Sequence, residues 1–400
     1  MTRFRIGPGI LVTAAFIGPG TLTVCSMAGA RFDLQLLWAL LLSVLLTAFL
    51  QILVARLSWE SGQGLVEMVR EQSQGRWIQP LLLGAISLAI FVGNAAYEAG
   101  NLTGALLGID VLLPRSLTTA SYYAPLVLVA IGAVSAFFLW QGNPRWIKNL
   151  LMGGVLLMSV SFLVTAFWVG PAGKELLQGL FVPSLPRASL LTVMALIGTT
   201  IVPYNLFLHA ALSKNRQQYA SVSDLRNDSL LAIGLGGLIS ICIVIASAAA
   251  GTQQLRSAVD LAEALVPLYG QGAQYLVGLG LFAAGLSSAL TAPLAAAFVI
   301  QESMGWPQQS QKSKAVALSV LGFGLAALGW DATPTGLIQF AQVANALLLP
   351  FMVLFLAYLV RKIQARFSIQ LGLAVIFVVF VALSAKTLWG LIVKGSLLTG

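Results

Sequence analysis

Two short stretches hold the residue types from which a polar pocket could be built inside a membrane. They are Phe16-Ile17-Gly18-Pro19-Gly20-Thr21-Leu22-Thr23 and Thr199-Thr200-Ile201-Val202-Pro203-Tyr204-Asn205. Each places a proline in the middle of an apolar run, where a helix would otherwise continue. Proline removes an intrahelical hydrogen bond and clashes with the preceding turn. In hydrocarbon such a break persists only where the freed backbone groups face a cavity or other protein. A broken helix offers N–H groups with partial positive charge at one end and carbonyls at the other. Two breaks facing each other could hold a carboxylate at one pole and a cation or ammonium at the other. The first break contributes Ala15, Gly18, Gly20 and Thr21 as candidate lining residues. The second contributes Thr199, Thr200, Val202, Tyr204 and Asn205, and Gln342 of a later span joins them.

Ionisable groups inside a span are functional candidates because burying a charge is costly. Of thirteen acids, only Glu98 sits well within an apolar run. It reads either as a proton carrier or as a hydrogen-bonded structural glutamate. His209, the single histidine, follows the second break and could relay protons, and Asn94, one turn before Glu98, is assigned to the same proton path. A helix histidine satisfied by its neighbours is the competing reading. No Ser/His/Asp or paired-Asp set falls within the spans, so an enzyme is not expected. Cys25 and Cys242 have no metal-type spacing and read as small buried hydrophobes. No resident metal or cofactor is predicted.

The elements that must position these residues are membrane helices. Hydrophobic residues make up 58% of the 400 and charged residues 9%, against about 25% charged in a soluble domain. Eleven spans of about 20 residues are drawn at 10–30, 34–56, 80–107, 124–141, 150–169, 188–212, 229–250, 272–300, 314–330, 335–360 and 370–393. Residues 1–400 form one transmembrane domain on this reading. A first repeat covers 10–169, and a second of opposite orientation covers 188–360; span 370–393 stands outside both. The linker 57–79 is expected to carry a short amphipathic helix, and 170–187 to be a loop. No signal peptide is expected, because the first apolar run carries the break itself.

The net charge of +9 is not a nucleic-acid signal. With the N-terminus in the cytoplasm, fifteen Lys and Arg fall in inner segments and seven in outer ones, the positive-inside pattern. The chain reads as a multi-pass protein of the cell (inner) membrane whose partners are the lipid bilayer, a small-molecule or ion substrate, and protons.

These residues resemble the Nramp family of proton-coupled divalent metal transporters. The likeness runs through Gly7-Pro8-Gly9, Met27-Ala28-Gly29-Ala30, Leu36-Leu37-Trp38 and Glu98 with Gly100. It continues in Pro203-Tyr204-Asn205-Leu206-Phe207-Leu208-His209, Phe282-Ala283-Ala284-Gly285, Gln342-Val343 and Pro350-Phe351. The resemblance implies an all-α leucine-transporter-type fold of eleven helices. It further implies a five-plus-five inverted repeat, breaks in helices one and six, and alternating access.

The departures fall on the metal site. The family's Asp-Pro-Gly-Asn motif is met here by Gly18 and Thr21 at its two ends, and its Met-Pro-His motif by Val202 and Tyr204. The polar residue of span eight is Leu286, and the third-span Asp is Asn94 or Ala95. Carbonyls of Ala15 and Thr199 match family carbonyl ligands, as any sequence would. Divalent metals take carboxylate, imidazole or soft sulfur ligands, and neither break supplies one. From the residues alone the favoured substrate is therefore a small zwitterion such as an amino acid. A divalent metal ion, hydrated magnesium or weakly held manganese, is the alternative. A non-transporting membrane sensor is the reading from another class.

Overall fold

A computed structural model describes residues 17–113, 123–142, 145–214, 219, 221–251, 255, 257–307, 310–329, 333–362 and 366–394. The described residues form helices joined by short turns, with no strand among them. In chain order they are α1 (Pro19–Phe32), α2 (Leu37–Ser61), α3 (Leu65–Gln72) and α4 (Gln79–Leu112). There follow α5 (Tyr123–Gln141), α6 (Arg145–Val169), α7 (Gly173–Phe181), α8 (Leu190–Thr200) and α9 (Pro203–Ser213). The chain continues through α10 (Val222–Ala250), α11 (Ala258–Ala262), a 3-10 turn (Glu263–Leu265) and α12 (Val266–Tyr269). The last four helices are α13 (Gly272–Met304), α14 (Gln311–Ala327), α15 (Pro334–Lys362) and α16 (Phe367–Lys394).

Nine segments among the described residues are long and apolar enough to cross a bilayer, with α8 and α9 together counting as one. The remaining two of the eleven expected spans correspond to α1, whose preceding residues lie outside the described set, and to the 17-residue α14. Most of the long helices overrun the spans drawn from hydropathy. Hydropathy registers only the stretch that sits in hydrocarbon, whereas the helix continues until a cap stops it. The start of α10 shows this: the Ser221 hydroxyl accepts from the Asp224 N–H at 3.2 Å, fixing a polar first turn ahead of the apolar run.

The amphipathic helix expected between spans two and three is α3. The segment 170–187, expected as a loop, contains α7, and the stretch after α10 holds α11 and α12. These helices are too short for hydropathy to register. α7 is fixed by docking: Gly179 lies against the Leu34 carbonyl, Trp38 donates its indole N–H to the Ser184 carbonyl at 2.9 Å, and Ser184 donates to the Gln35 carbonyl at 3.1 Å.

Two groups of helices pack around the breaks. In one, α13 lies along α4, with α14, α15 and α6 against them. In the other, α10 packs on α1 and α2, and α9 on α2. The apolar stretch of the broken pair α8–α9 is 89% buried and that of α16 only 22%, so the broken helix is central and the last helix faces lipid. Apolar tails are as good a solvent for leucine as a protein interior is, so helix association here depends on close packing of small residues. Gly29 of α1 meets the Val244 carbonyl of α10, and Gly285 of α13 meets Asn101 and Ala105 of α4.

A methyl group on Gly29 would collide with the Val244 carbonyl and lie 2.9 Å from the Ala248 nitrogen, whereas one on Gly234 would meet nothing within 4 Å. Gly29→Ala is expected to cost about 1–3 kcal/mol through overpacking and Gly234→Ala to leave stability unchanged or slightly raised. Thermal unfolding of the two variants in detergent checks the contrast.

Candidate functional site

Both breaks are present where described. Ile17 and Gly18 are non-helical; Gly18 is extended (φ −98°, ψ −179°), and α1 begins at Pro19 with no side-chain cap on its first turn. α8 ends at Thr200, Ile201 and Val202 leave the helical region, and α9 begins at Pro203. Proline suits both starts, since its missing N–H is one that a first turn leaves unpaired anyway. Ala15 lies outside the described residues.

The two breaks are brought together. The hydroxyls of Thr21 and Thr199 are hydrogen-bonded at 3.0 Å, across 178 residues of sequence. Gln342 of α15 completes the junction: its side-chain amide occupies the space a Cβ on Gly20 would need, and its main-chain carbonyl does the same at Gly198. Thr200 turns back to its own helix, donating to the Leu196 carbonyl at 2.6 Å. Val202 and Tyr204 pack with Tyr97 in one small buried cluster, and the Tyr97 and Tyr204 rings meet edge to face at 5.7 Å.

Gly18 faces two residues that the sequence reading leaves without a role. From the direction a Cβ would take, the Tyr97 hydroxyl lies at 3.4 Å and the Ser288 hydroxyl at 3.6 Å. Only the position of Tyr97 beside Glu98, on the same polar stretch of α4, could have pointed to it. The site is buried yet incompletely paired. Both amide atoms of Asn205, the Gln342 Oε1 and the Asn345 Nδ2 have no hydrogen-bond partner. Unpaired buried polar atoms cost about 1–3 kcal/mol each, so Asn205 and Gln342 are groups with which water or a ligand could pair.

The three residues assigned to a proton path do not converge on the breaks. Glu98 is fully buried against Gly324 of α14, accepting from the Asn101 amide at 3.2 Å. Asn94 donates to the Ile90 carbonyl of its own helix at 2.7 Å. His209 points from α9 towards α10, with Nε2 at 3.4 Å from the Ser229 hydroxyl. Beside it, Tyr219 donates to Asp228 at 2.7 Å; burial first, then the carboxylate, holds that phenol well above its usual pKa.

A cavity of about 380 Å³ leads from Tyr204 past Ser288, Leu208 and Phe298 to Lys148 of α6. At the same end of the bundle lies an ionic cluster not anticipated from the sequence, where its members read as loop residues. Lys214, just after α9, sits 3.3 Å from Glu67 of α3 and 3.5 Å from Glu302 of α13. Arg70 donates to the Glu302 carbonyl at 3.2 Å. Among the described residues no group of three or more His, Cys, Asp and Glu is arranged to hold a metal ion.

The family model for Nramp, described as natural resistance-associated macrophage protein-like, matches residues 9–392. The chain belongs to the Nramp family. Among its relatives, the divalent metal cation transporter MntH of Deinococcus radiodurans is 28% identical over 406 residues, covering 97% of this chain and 90% of that protein. A solved structure of the Eremococcus coleocola manganese transporter aligns with a TM-score of 0.74 at 18% identity, over 95% of this chain and 85% of that one. The inward-facing structure of Mhp1 aligns at 0.61 and 17% identity, over 90% and 78%. The fold of this Nramp-family chain is thus the leucine-transporter type with broken helices one and six, in a multi-pass membrane protein. Family membership supports a secondary membrane transporter.

Lys214 bridges two carboxylates, of which Glu302 has only 7% of its side chain exposed while Lys214 has 29%. Lys214→Met is expected to destabilise by about 1–3 kcal/mol, less than the ~3–5 kcal/mol of a fully buried pair because water screens the lysine. Adding Glu302→Gln should recover part of the loss. A double-mutant cycle on thermal stability measures it.

Proposed function

We propose that this protein is an alternating-access transporter of a hard divalent cation, magnesium in preference to manganese, carried with part of its water shell and driven by protons. The family supports the cation: relatives across nearly the full length are divalent metal cation transporters. The chemistry of the breaks supports the choice of ion, and one observation carries it. What meets between the two broken helices is a set of neutral oxygens: the Thr21 and Thr199 hydroxyls, with Gln342 against Gly20. Carbonyl, hydroxyl and water ligands suit magnesium and manganese, whereas soft or imidazole ligands favour later transition metals. Magnesium gives up water reluctantly and is commonly held through waters it retains. The unpaired amide atoms of Asn205 and Gln342 are suited to bonding such waters.

The zwitterion reading favoured by the residues alone now stands second. Its support is the uncapped first turn of α1, which could receive a carboxylate, opposite the last carbonyls of α8. The relatives favour the cation. We further propose that the N-terminus faces the cytoplasm, that residues 10–169 and 188–360 form the two repeats with 370–393 appended, and that Glu98 and His209 serve the proton path.

Purified protein in liposomes is expected to take up magnesium, read by an entrapped indicator, with manganese handled at least roughly ten-fold less well, a selectivity of about 1.4 kcal/mol. Uptake of labelled neutral amino acids without any of either metal would reverse the order of the two readings. An imposed inward pH gradient should accelerate uptake by the native protein, and Glu98→Gln should abolish that acceleration. A variant that still responds to the gradient would remove Glu98 from the proton path.

A further inference from the structure

We propose that the hydroxyls of Tyr97 and Ser288 contact the substrate at the first break and set which cation it accepts. The inference rests on the reading of the breaks as a cation site and names two selectivity residues within it.

Gly18 is extended with negative φ, a conformation open to any residue, so the backbone does not demand glycine there. Space does not demand it either, since a Cβ at this position would touch its nearest neighbours at ordinary contact distances of 3.4 and 3.6 Å. Those neighbours are the Tyr97 and Ser288 hydroxyls. With no side chain on residue 18, these two oxygens are, among the described residues, the atoms nearest the space that its Cβ would fill. A glycine here hands the ligand role from the broken helix to its surroundings.

The two residues are well placed for it. Tyr97 reaches both broken helices, with its hydroxyl beside Gly18 and its ring against Tyr204 and Val202. Ser288 lines the cavity that leads to Tyr204, so a substrate entering or leaving by that route passes it. Both are buried, at 2% and 6% exposure, and stand on the unbroken helices α4 and α13. These helices are held in register by close contacts at Gly108 with Phe282 and at Gly285 with Asn101 and Ala105. Their hydroxyls are therefore presented from a closely packed pair of unbroken helices.

A hydroxyl oxygen can accept from the outward-pointing hydrogen of a metal-bound water. Removing it leaves that water unpaired in a buried site, which penalises an ion that keeps its water more than one that sheds it. Tyr97→Phe and Ser288→Ala are each expected to raise the magnesium KM roughly ten-fold and to change the manganese KM less. The preference between the ions then narrows. Ser288→Thr, which keeps the hydroxyl, should retain it. In a second arm, Ser288→Cys is placed in a Cys25→Ala, Cys242→Ala background and labelled with a small methanethiosulfonate. MgCl2 should slow the labelling.

If native protein takes up magnesium while both hydroxyl deletions leave KM and ion preference untouched, the inference fails and the cation reading stands. If native protein moves neither ion, both fall. Should Tyr97→Phe not fold, as judged by gel filtration, Ser288→Ala and the labelling arm decide. A labelling rate that ignores MgCl2 then overturns the proposal.

Discussion

The structure depends on one constraint: main-chain polar groups released in a low-dielectric interior need partners. An intact membrane helix satisfies this by itself. Here α1 starts at Pro19 and the α8–α9 helix opens at Ile201 and Val202, so partners must come from elsewhere. Gln342 lies where it touches both Gly20 and Gly198, and the Thr21–Thr199 bond ties the halves. Both are contacts that close the junction rather than hydrogen bonds to the released main-chain groups, and the α8–α9 segment there is 89% buried against 22% for α16. Enclosure is the condition for an interrupted helix to exist at all.

The same geometry restricts where a cation can rest. Helix N-termini repel cations and C-termini attract them. α1 and α9 both present N-termini to the junction, and α8 presents a C-terminus. A bare ion placed near Gly18 would meet unpaired N–H groups, whereas one near Thr199 and Thr200 would meet carbonyls. A water bound to the ion would turn its oxygen to the cation and its hydrogens outward, so a retained water near Gly18 would donate to acceptors such as the Tyr97 and Ser288 hydroxyl oxygens rather than accept from the helix N–H groups. On the proposed reading, retained hydration keeps a doubly charged guest further from those N–H groups than direct coordination would, which weakens the repulsion.

The spans and both interruptions were legible in the sequence because each leaves a one-dimensional mark. A run of about twenty apolar residues records passage through hydrocarbon, and a proline inside it records a break. The helices within 170–187 and after Gly251 left no such mark, being defined by docking against Leu34, Gln35 and Trp38 or by a cap such as Ser257. The site was half legible. Thr21, Thr199, Tyr204, Asn205 and Gln342 announce themselves by polarity beside a break or inside an apolar run. Tyr97 and Ser288 belong to uninterrupted helices, and only the contact of α4 and α13 with α1 brings them to Gly18. Lys214, Glu67 and Glu302 look like ordinary loop charges until the ends of α9 and α13 and the start of α3 are seen together. The substrate was least legible. Chemistry at the breaks excludes a soft metal cage, and that exclusion weighed towards an organic solute until the relatives restored the cation. A fold is shared more widely than the ligand it carries.

The cavity below Tyr204 bears on that same choice. Its walls are largely apolar, with Leu208, Leu212, Leu294 and Phe298 among them, and its one charged lining residue is Lys148. A bare divalent ion moving through it would lose hydration without gaining ligands and would pass a like charge at the rim. An ion that keeps its water carries its ligands with it, and at about 380 Å³ the space accommodates several waters, each occupying about 30 Å³. The exposed lysine is also screened by the solvent that accompanies the ion. Between the apolar walls, the hydroxyls of Ser287, Ser288 and Thr291 are the neutral polar groups that a hydrated cation would meet on its way. On the proposed reading, the neutral junction and the largely apolar route below it place the same demand on the cargo, that it travel with its own first shell.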